Sequence, residues 1–396
     1  MEIKRNIFNK LYNEIREPEV SILLGARQVG KTTLLREIGK KAEKEGHKIQ
    51  FYNLESSSDL AELSGNQEKV FKRLTSSGAD VLLIDEFHYL KNASKIFKEI
   101  YDSSKKIKIF ASGSSSLEIH KHLKESLAGR FRKTMVFPLT LDEFSQIPGN
   151  DLKEYLQWGG MPGLVHRKTR EEKMELLENI VSTYLTKDIK SLIKEENVRA
   201  FNAMLYALAQ LQGSMVVASN IARDVSCNES TLARHLEIMS QTYVCHILHS
   251  FSRNLANELK KSKKCYLFDI GIRNSLLKDF RTNESREDKG ALNESFILQH
   301  LVPQLKPNME IRFWRTKKGA EVDFVLLKDR VPIPIEVKSH WNAFDIPDGM
   351  RSFMKTYPKS PLGIIFNEEI QGEGFCEGRK ILFRRLWEVS RLPELS

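Results

Sequence analysis

Three features of this 396-residue sequence predict an α/β fold in several domains. The first is Gly25-Ala26-Arg27-Gln28-Val29-Gly30-Lys31-Thr32, with the apolar run Ser21-Ile22-Leu23-Leu24 before it and Thr33-Leu34-Leu35-Arg36-Glu37-Ile38 after it. That is the strand, glycine-rich loop and helix start that the pattern G-x-x-x-x-G-K-[ST] requires. The second is Val81-Leu82-Leu83-Ile84, an apolar strand buried on both faces that closes on two acids, Asp85 and Glu86. The third is an order of elements near the C-terminus: a helix carrying Glu294, a strand carrying Asp323, and a strand ending in Glu336-Val337-Lys338. Together they place a parallel-sheet domain over residues 1–145, a helical middle over 146–280 and a small α/β domain over 285–396.

Length and composition agree with this division. A chain this long exceeds what one hydrophobic core supports, so two or three domains are expected. Charged residues make up 29% and hydrophobic ones 41%, an ordinary globular balance. The net charge of +10 fits a nucleic-acid partner, DNA in particular, with a generic basic protein as the alternative. The cysteines Cys227, Cys245, Cys265 and Cys376 stand apart and form no C-x-x-C, so neither a zinc site nor a disulfide framework is indicated. The start, MEIKRNIFNKL, lacks the apolar core of a signal peptide, and no apolar run approaches the length of a membrane span. No membrane partner is expected, and the cytoplasm is the expected compartment.

Taken in order, residues 1–16 read as an amphipathic helix with Ile7, Phe8, Leu11 and Ile15 on one stripe. In the loop that follows, Gly25 and Gly30 allow backbone N–H groups to curl round an anion, and the new helix aims its N-terminus at it. Ala26, Arg27, Gln28 and Val29 complete the cradle, Lys31 reaches the β- and γ-phosphates of ATP, Thr32 holds Mg²⁺, and Thr33 continues the helix start. A second strand is expected over Lys48–Leu54. In the acid pair, Asp85 holds Mg²⁺ through water and Glu86 orients and deprotonates the attacking water. Ile107–Ser114 reads as another buried strand, whose Ser112 or Ser114 would hydrogen-bond the γ-phosphate or its water. A serine-rich turn is the alternative there. Arg130 follows in Leu127-Ala128-Gly129-Arg130; a guanidinium held near the γ-phosphate of its own or a neighbouring subunit stabilises transition-state charge. A surface salt bridge is the alternative, and a homo-oligomer is expected if a neighbour is served.

The segments GARQVGKT, LLIDEFHYL, ASGSSS, SLAGR, FPLTLDEF and GGMPGLV occur in an order that resembles a family of archaeal and bacterial AAA-type ATPases. The resemblance covers nearly the whole chain. It implies an ATPase domain, a winged-helix segment and a C-terminal domain like restriction endonucleases, and the family's phosphate-loop, acid-pair and arginine positions all have matches here.

In the middle, helices are expected from Leu141, over Asp151–Trp158, and over Glu171–Ile193, with the turn or hinge Gly159-Gly160-Met161-Pro162-Gly163 between them. Residues 219–250 read as a helix-turn-helix, with Ser219 capping the first helix. Ser230–Gln241 forms the second, with Leu232, Leu236 and Met239 inward and Arg234 and His235 outward toward DNA. Tyr243–Leu248 and Lys264–Phe268 read as two wing strands, and Lys260, Lys261, Lys263 and Lys264 at the wing tip would track DNA phosphates. A solvated loop is the alternative.

Residues 281–290 are charged and apolar-free, which reads as a linker. Beyond it, Asp323 and Glu336-x-Lys338 have the spacing of the PD-(D/E)xK nuclease signature. Residues i and i+2 of a strand face one side, so Glu336 and Lys338 point together, and an adjacent strand can bring Asp323 beside them. Two hard carboxylates suit Mg²⁺ or Mn²⁺, Lys338 can position the metal-activated water, and Glu294 can complete the set. A nuclease-like domain that does not cut, or a plain salt-bridge cluster, are the alternatives. The expected function is ATP hydrolysis acting on DNA; an ATP-switched binding or assembly module is the competing reading.

Overall fold

The computed structural model describes residues 3–103, 105–114, 127–183, 198–252, 263–390 and 392. Its contacts divide into two compact units, Met1–Leu139 with Gln241–Tyr243, and Thr140–Ser240 with Val244–Ser396.

The first unit is built on five strands, β1 (Val20–Gly25), β2 (Ile49–Asn53), β3 (Val81–Asp85), β4 (Lys108–Ser114) and β5 (Phe131–Met135). All pairs are parallel, in the order β2-β3-β4-β1-β5. β1 and β3 are buried along their whole length, as the unbroken apolar runs require of strands covered on both faces. β5 escaped sequence reading because it is an edge strand, and three of its five residues are Arg132, Lys133 and Thr134.

The helices are α1 (Phe8–Asn13), α2 (Lys31–Lys44), α3 (Ser57–Glu62), α4 (Gln67–Ser76) and α5 (Ala93–Asp102). The amphipathic start predicted over 1–16 narrows to α1 and a 3-10 turn, Glu14–Arg16. α2 buries Leu34, Leu35, Ile38 and Ala42, the inward stripe of a 3.6-residue repeat. Gly39 lies on that stripe because a Cβ there would meet the Leu83 side chain at 2.8 Å.

The second unit begins with α6 (Leu141–Phe144), closed by a capping box in which Thr140 accepts from Glu143 N and Glu143 accepts from Thr140 N. It continues through α7 (Leu152–Trp158), capped by Asp151, α8 (Arg170–Thr183) and α9 (Val198–Gln210). Next come β6 (Met215–Val216), α10 (Ala218–Asp224), α11 (Glu229–Gln241), β7 (Cys245–His249) and β8 (Lys263–Leu267), with an antiparallel sheet ordered β6-β8-β7. The two strands expected over 243–248 and 264–268 are present as β7 and β8, and β6 joins them. Ser219 is not the cap it was predicted to be: α10 starts two residues earlier, at Ala218, and Val217 stands at its N-cap, with no side-chain cap bond.

After α12 (Ile270–Leu277) and α13 (Lys289–Leu301) come β9 (Met309–Arg315), β10 (Glu321–Lys328), β11 (Val331–Lys338), α14 (Asp348–Thr356), β12 (Leu362–Asn367), β13 (Gly372–Cys376) and β14 (Arg379–Arg385). They form a mixed sheet in the order β13-β14-β12-β11-β10-β9. The whole chain is thus α/β, with a parallel sheet in one unit and a mixed one in the other.

The stretch 281–290 is not a linker. Arg286 is buried, its guanidinium 2.8 Å from Asp288, and buried Arg273 reaches Asp288 at 2.7 Å. Of its charges, Arg286 and Asp288 pair inside the unit, while Arg281, Glu284 and Glu287 stay exposed. The glycine-rich turn after α7 is likewise fixed. Asp269, fully buried, caps α12 at Ile272 N (3.1 Å) and accepts from Gly160 N (2.8 Å). Burial pushes its carboxyl up to about 6, against the three backbone donors that pull it down. A Cβ on Gly271 would stand 1.8 Å from the Trp158 carbonyl oxygen. Gly271→Ala is therefore expected to destabilise the second unit by about 3 kcal/mol or more, read as a lowered urea midpoint with an unchanged slope.

Candidate nucleotide site and carboxylate site

The loop between β1 and α2 sits at the carboxyl end of β1, an interior strand of the parallel sheet, the end where such sheets bind ligands. Gly25 passes so close to β5's exit that a Cβ would lie 2.2 Å from the Val136 carbonyl oxygen. Gln28 (φ 60°) and Gly30 (φ 94°) take left-handed conformations that curl the loop. Arg5 holds it from below, donating to Val29 O at 2.9 Å and Phe137 O at 2.7 Å. Lys31 is buried and its Nζ donates to the carbonyls of Gly25 (3.0 Å) and Ala26 (2.8 Å). Arg27 pairs with Glu55 at 3.4 Å, and Thr33 is exposed in the first turn of α2.

Residues of α2, β3 and β4 converge beside this loop. Thr32 Oγ1 donates to Asp85 Oδ2 at 2.6 Å, and Ser112 Oγ makes a short hydrogen bond to Asp85 Oδ1. Ser112 and Asp85 are both buried. Glu86 follows in a left-handed conformation (φ 52°, ψ 48°), largely buried, with its Oε2 3.2 Å from His88 Nδ1. The hydroxyl and carboxylate oxygens of Thr32 and Asp85 are the hard donor set Mg²⁺ takes, and the loop has the cradle for a triphosphate. Ser114 ends β4, but its side chain lies outside the described residues.

Of the two places expected for Arg130, the γ-phosphate of its own subunit or of a neighbour, the fold removes the first. The Arg130 carbonyl accepts from Val20 N, at the amino end of β1, and its guanidinium lies 2.8 Å from Asp102. The phosphate loop lies at the other end of the same strand, so Arg130 does not approach the nucleotide site of its own chain.

In the second unit the helix, strand and strand predicted to carry the carboxylates are α13, β10 and β11. The β9–β10 register shifts between Val322 and Val325, an irregularity that spans Asp323 and re-aims it. Asp323 Oδ2 accepts from Val337 N at 2.8 Å, which ties it to β11 between Glu336 and Lys338. Lys338 Nζ lies 3.8 Å from Glu336 Oε2. Burial pushes Glu336 well above the usual carboxyl range, and the charge and hydrogen bond of Asp323 push it further. Glu294 rises to about 8, through burial first and Asp323 second, against the pull of Lys264 and of the Tyr266 hydroxyl, which donates to it at 2.8 Å.

Asp323 and Glu336 thus stand together as a pair, which is enough for an ion that keeps most of its waters. Glu294 does not complete a set as expected. Among the described residues, no group of three or more His, Cys, Asp or Glu side chains is arranged to hold a metal.

Two of the predicted DNA-contacting side chains face the wrong way. His235 is buried and packs edge-on against Phe201 at 5.4 Å, because it shares a helical stripe with Leu232, Leu236 and Met239. Lys264 is buried in β8, with Nζ 2.5 Å from Glu321. Arg234 and Lys263 are exposed, and Lys260 and Lys261 lie outside the described residues. Sequence reading missed Lys264, Tyr266 and Glu321 as members of the carboxylate cluster. The available signal was the alternation of β8, which puts Lys264 and Tyr266 on one face of the strand.

Comparison with known proteins agrees on the first unit. Residues 17–145 match the family model described as an AAA domain. Residues 149–283 and 289–382 each match a domain of unknown function, DUF8612 and DUF4143. An uncharacterized protein of Mycobacterium tuberculosis is 26% identical over 370 residues, covering 92% of this chain and 80% of its own. One from Methanocaldococcus jannaschii is 24% identical over 329 residues, covering 78% and 72%. Among solved structures, AMPPCP-bound DnaA from Aquifex aeolicus overlaps 58% of this chain and 84% of its own, at 14% identity and a TM-score of 0.29. Drosophila ORC bound to GC-rich DNA and Cdc6 overlaps 69% and 90%, at 10% identity and a TM-score of 0.27. Overlaps that distant say nothing of chemistry. The AAA match and the phosphate-loop geometry together support ATP binding and hydrolysis by the first unit. Among the described residues, no helix is long and apolar enough to cross a membrane.

Proposed function

We propose that this protein couples ATP hydrolysis in its first unit to an action on DNA by its second. The observation that carries the reading is the hydrogen-bonded set Thr32–Asp85–Ser112 beside a curled phosphate loop. In this reading the loop N–H groups from Gly25 to Thr33 bind the triphosphate, and Lys31 leaves its loop carbonyls for the phosphates. Thr32 and Asp85 hold Mg²⁺, which neutralises phosphate charge and orients the chain of oxygens. Glu86 positions the attacking water and takes its proton, with His88 steadying the carboxylate. Ser112 links the state of the phosphate end to Asp85.

Action on DNA is supported by three features. The order α9-β6-α10-α11-β7-β8 resembles a winged helix; in that reading exposed Arg234 on α11 and exposed Lys263 at the start of β8 face DNA. The order α13-β9-β10-β11-α14-β12 resembles that of PD-(D/E)xK nucleases, and Asp323 on β10 and Glu336 and Lys338 on β11 are the residues that reading uses. The net charge is +10. The test is incubation of the full chain with plasmid and linear DNA, with Mg²⁺ or Mn²⁺ and with or without ATP. Metal-dependent cleavage is the expected result, and intact DNA under every condition counts against it.

A second reading has its own observation. Among the described residues the pair Asp323–Glu336 has no third acid ligand, and a lysine occupies the neighbouring cluster. That favours an ATP-switched binding module whose nuclease-like domain is silent.

Arg130, remote from its own phosphate loop, serves the nucleotide of a neighbouring copy in a homo-oligomer. Arg130→Ala is then expected to lower turnover at nearly unchanged ATP affinity, and mixing it with Lys31→Ala subunits restores part of the rate. Full activity of the Arg130→Ala protein would show that the Asp102 ion pair is its whole role.

A further inference from the structure

Two side chains from a single strand enter the carboxylate cluster of the C-terminal sheet. Alternate residues of a strand share a face, so Lys264 and Tyr266 of β8 point the same way. Tyr266 donates to Glu294, and Lys264 Nζ lies 2.5 Å from Glu321, two residues before Asp323 on β10. Lys264 is 2% exposed, with its ammonium 5.5 Å from the centre of the Phe313 ring. Arg315 gives Glu321 a second partner at 3.2 Å.

An ammonium taken out of water needs acid around it. Burial alone drives Lys264 toward the neutral form, yet Glu294, Asp323 and Glu321 outweigh it and hold the lysine above its usual value. Asp323 among them belongs to the pair, with Glu336, whose mutual repulsion a divalent ion would otherwise relieve. A charge built into a hydrogen-bonded strand does not diffuse away, so it competes with a free ion at a high effective concentration.

We propose that Lys264 is the resident cation of this cluster, standing in for part of the charge of a divalent ion, so that metal loading at Asp323 and Glu336 competes with the seating of β8. The proposal rests on reading Asp323 and Glu336 as the metal-holding pair. It makes the three-stranded sheet a control on the nuclease-like site. β8 is paired to β7 from Cys245 to His249, so a force on that sheet reaches the ammonium through its own strand.

The test is Mn²⁺ titration by calorimetry into the full chain without nucleotide, comparing the parent with Lys264→Met, which keeps length and removes charge. Binding is taken as the difference from Asp323→Asn/Glu336→Gln, so that other sites cancel. At least tenfold tighter Mn²⁺ binding by Lys264→Met is expected. If the parent shows Asp323-dependent binding and Lys264→Met matches it or binds more weakly, the resident-cation proposal is overturned and the metal pair survives. If neither protein binds Mn²⁺, the metal reading falls, and thermal melts in EDTA decide the role of Lys264. There, a lowered melting temperature for Lys264→Met that Glu321→Gln partly restores keeps the lysine as the counter-cation of the cluster. Equal melting of parent and Lys264→Met overturns it.

Discussion

Glu86→Gln is expected to leave ATP bound while slowing its hydrolysis by about 10²–10⁴-fold, the range a positioned general base contributes. The substitution keeps the shape of the side chain and the left-handed backbone at this position, and it leaves Thr32, Asp85 and Ser112 hydrogen-bonded as before. What it removes is the acceptor for the water's proton. Lys31→Ala is expected to act one step earlier. The Lys31 ammonium, held now by the carbonyls of Gly25 and Ala26, is the loop's own cation for the phosphates. A hydrogen bond to a charged group is worth about 1.5–3 kcal/mol, and Lys31 makes more than one with phosphate, so affinity falls by about a hundredfold or more. Fluorescent-nucleotide titration separates the two variants: Glu86→Gln binds like the parent and Lys31→Ala does not. Parent-like turnover by Glu86→Gln would transfer the role of base elsewhere.

What was legible in the sequence divides along a physical line. The phosphate loop, the acid pair and the Glu336-x-Lys338 strand are local patterns, in which adjacent residues do the chemistry together. Their element types and order were readable, and β1, β3, β4, β10 and β11 lie where apolar runs placed them. Which end of a strand a residue occupies relative to a distant loop is not local. Arg130 follows a glycine turn like many catalytic arginines, yet it opens β5 instead of ending it.

Charge was misleading in both directions. Arg286 and Lys264 look solvent-bound by type but are buried with acid partners that only the fold supplies. His235 was readable and was misread. Its spacing from Leu232 and Met239, three and four residues, is that of one helical stripe. Neighbouring Arg234 lies on the exposed side of the same helix.

Asp323→Ala and Glu336→Ala are each expected to abolish metal-dependent DNA cleavage, while ATP hydrolysis continues. Lys338→Ala is expected to keep metal binding and lose rate, because it adds charge and orients water without coordinating. Loss of activity alone does not separate a functional acid from a structural one, but stability does. The Glu336 carboxyl is raised by burial and by Asp323 beside it. A carboxyl raised in the folded state favours folding while protonated and opposes it once pH climbs past the unfolded value. Its contribution therefore falls from the ordinary carboxyl range upward, and at pH 8 without metal it works against the fold. Glu336→Gln removes that opposition and keeps the side chain's size, so it is expected to melt higher than the parent at pH 8 in EDTA, with a smaller difference at pH 5. Added Mn²⁺ should raise the parent's melting temperature and leave Glu336→Gln nearly unmoved. A variant that loses cleavage yet gains stability marks a site kept under electrostatic strain for its chemistry. A variant that loses both assigns Glu336 to the packing of β11 against β10 and β12 instead.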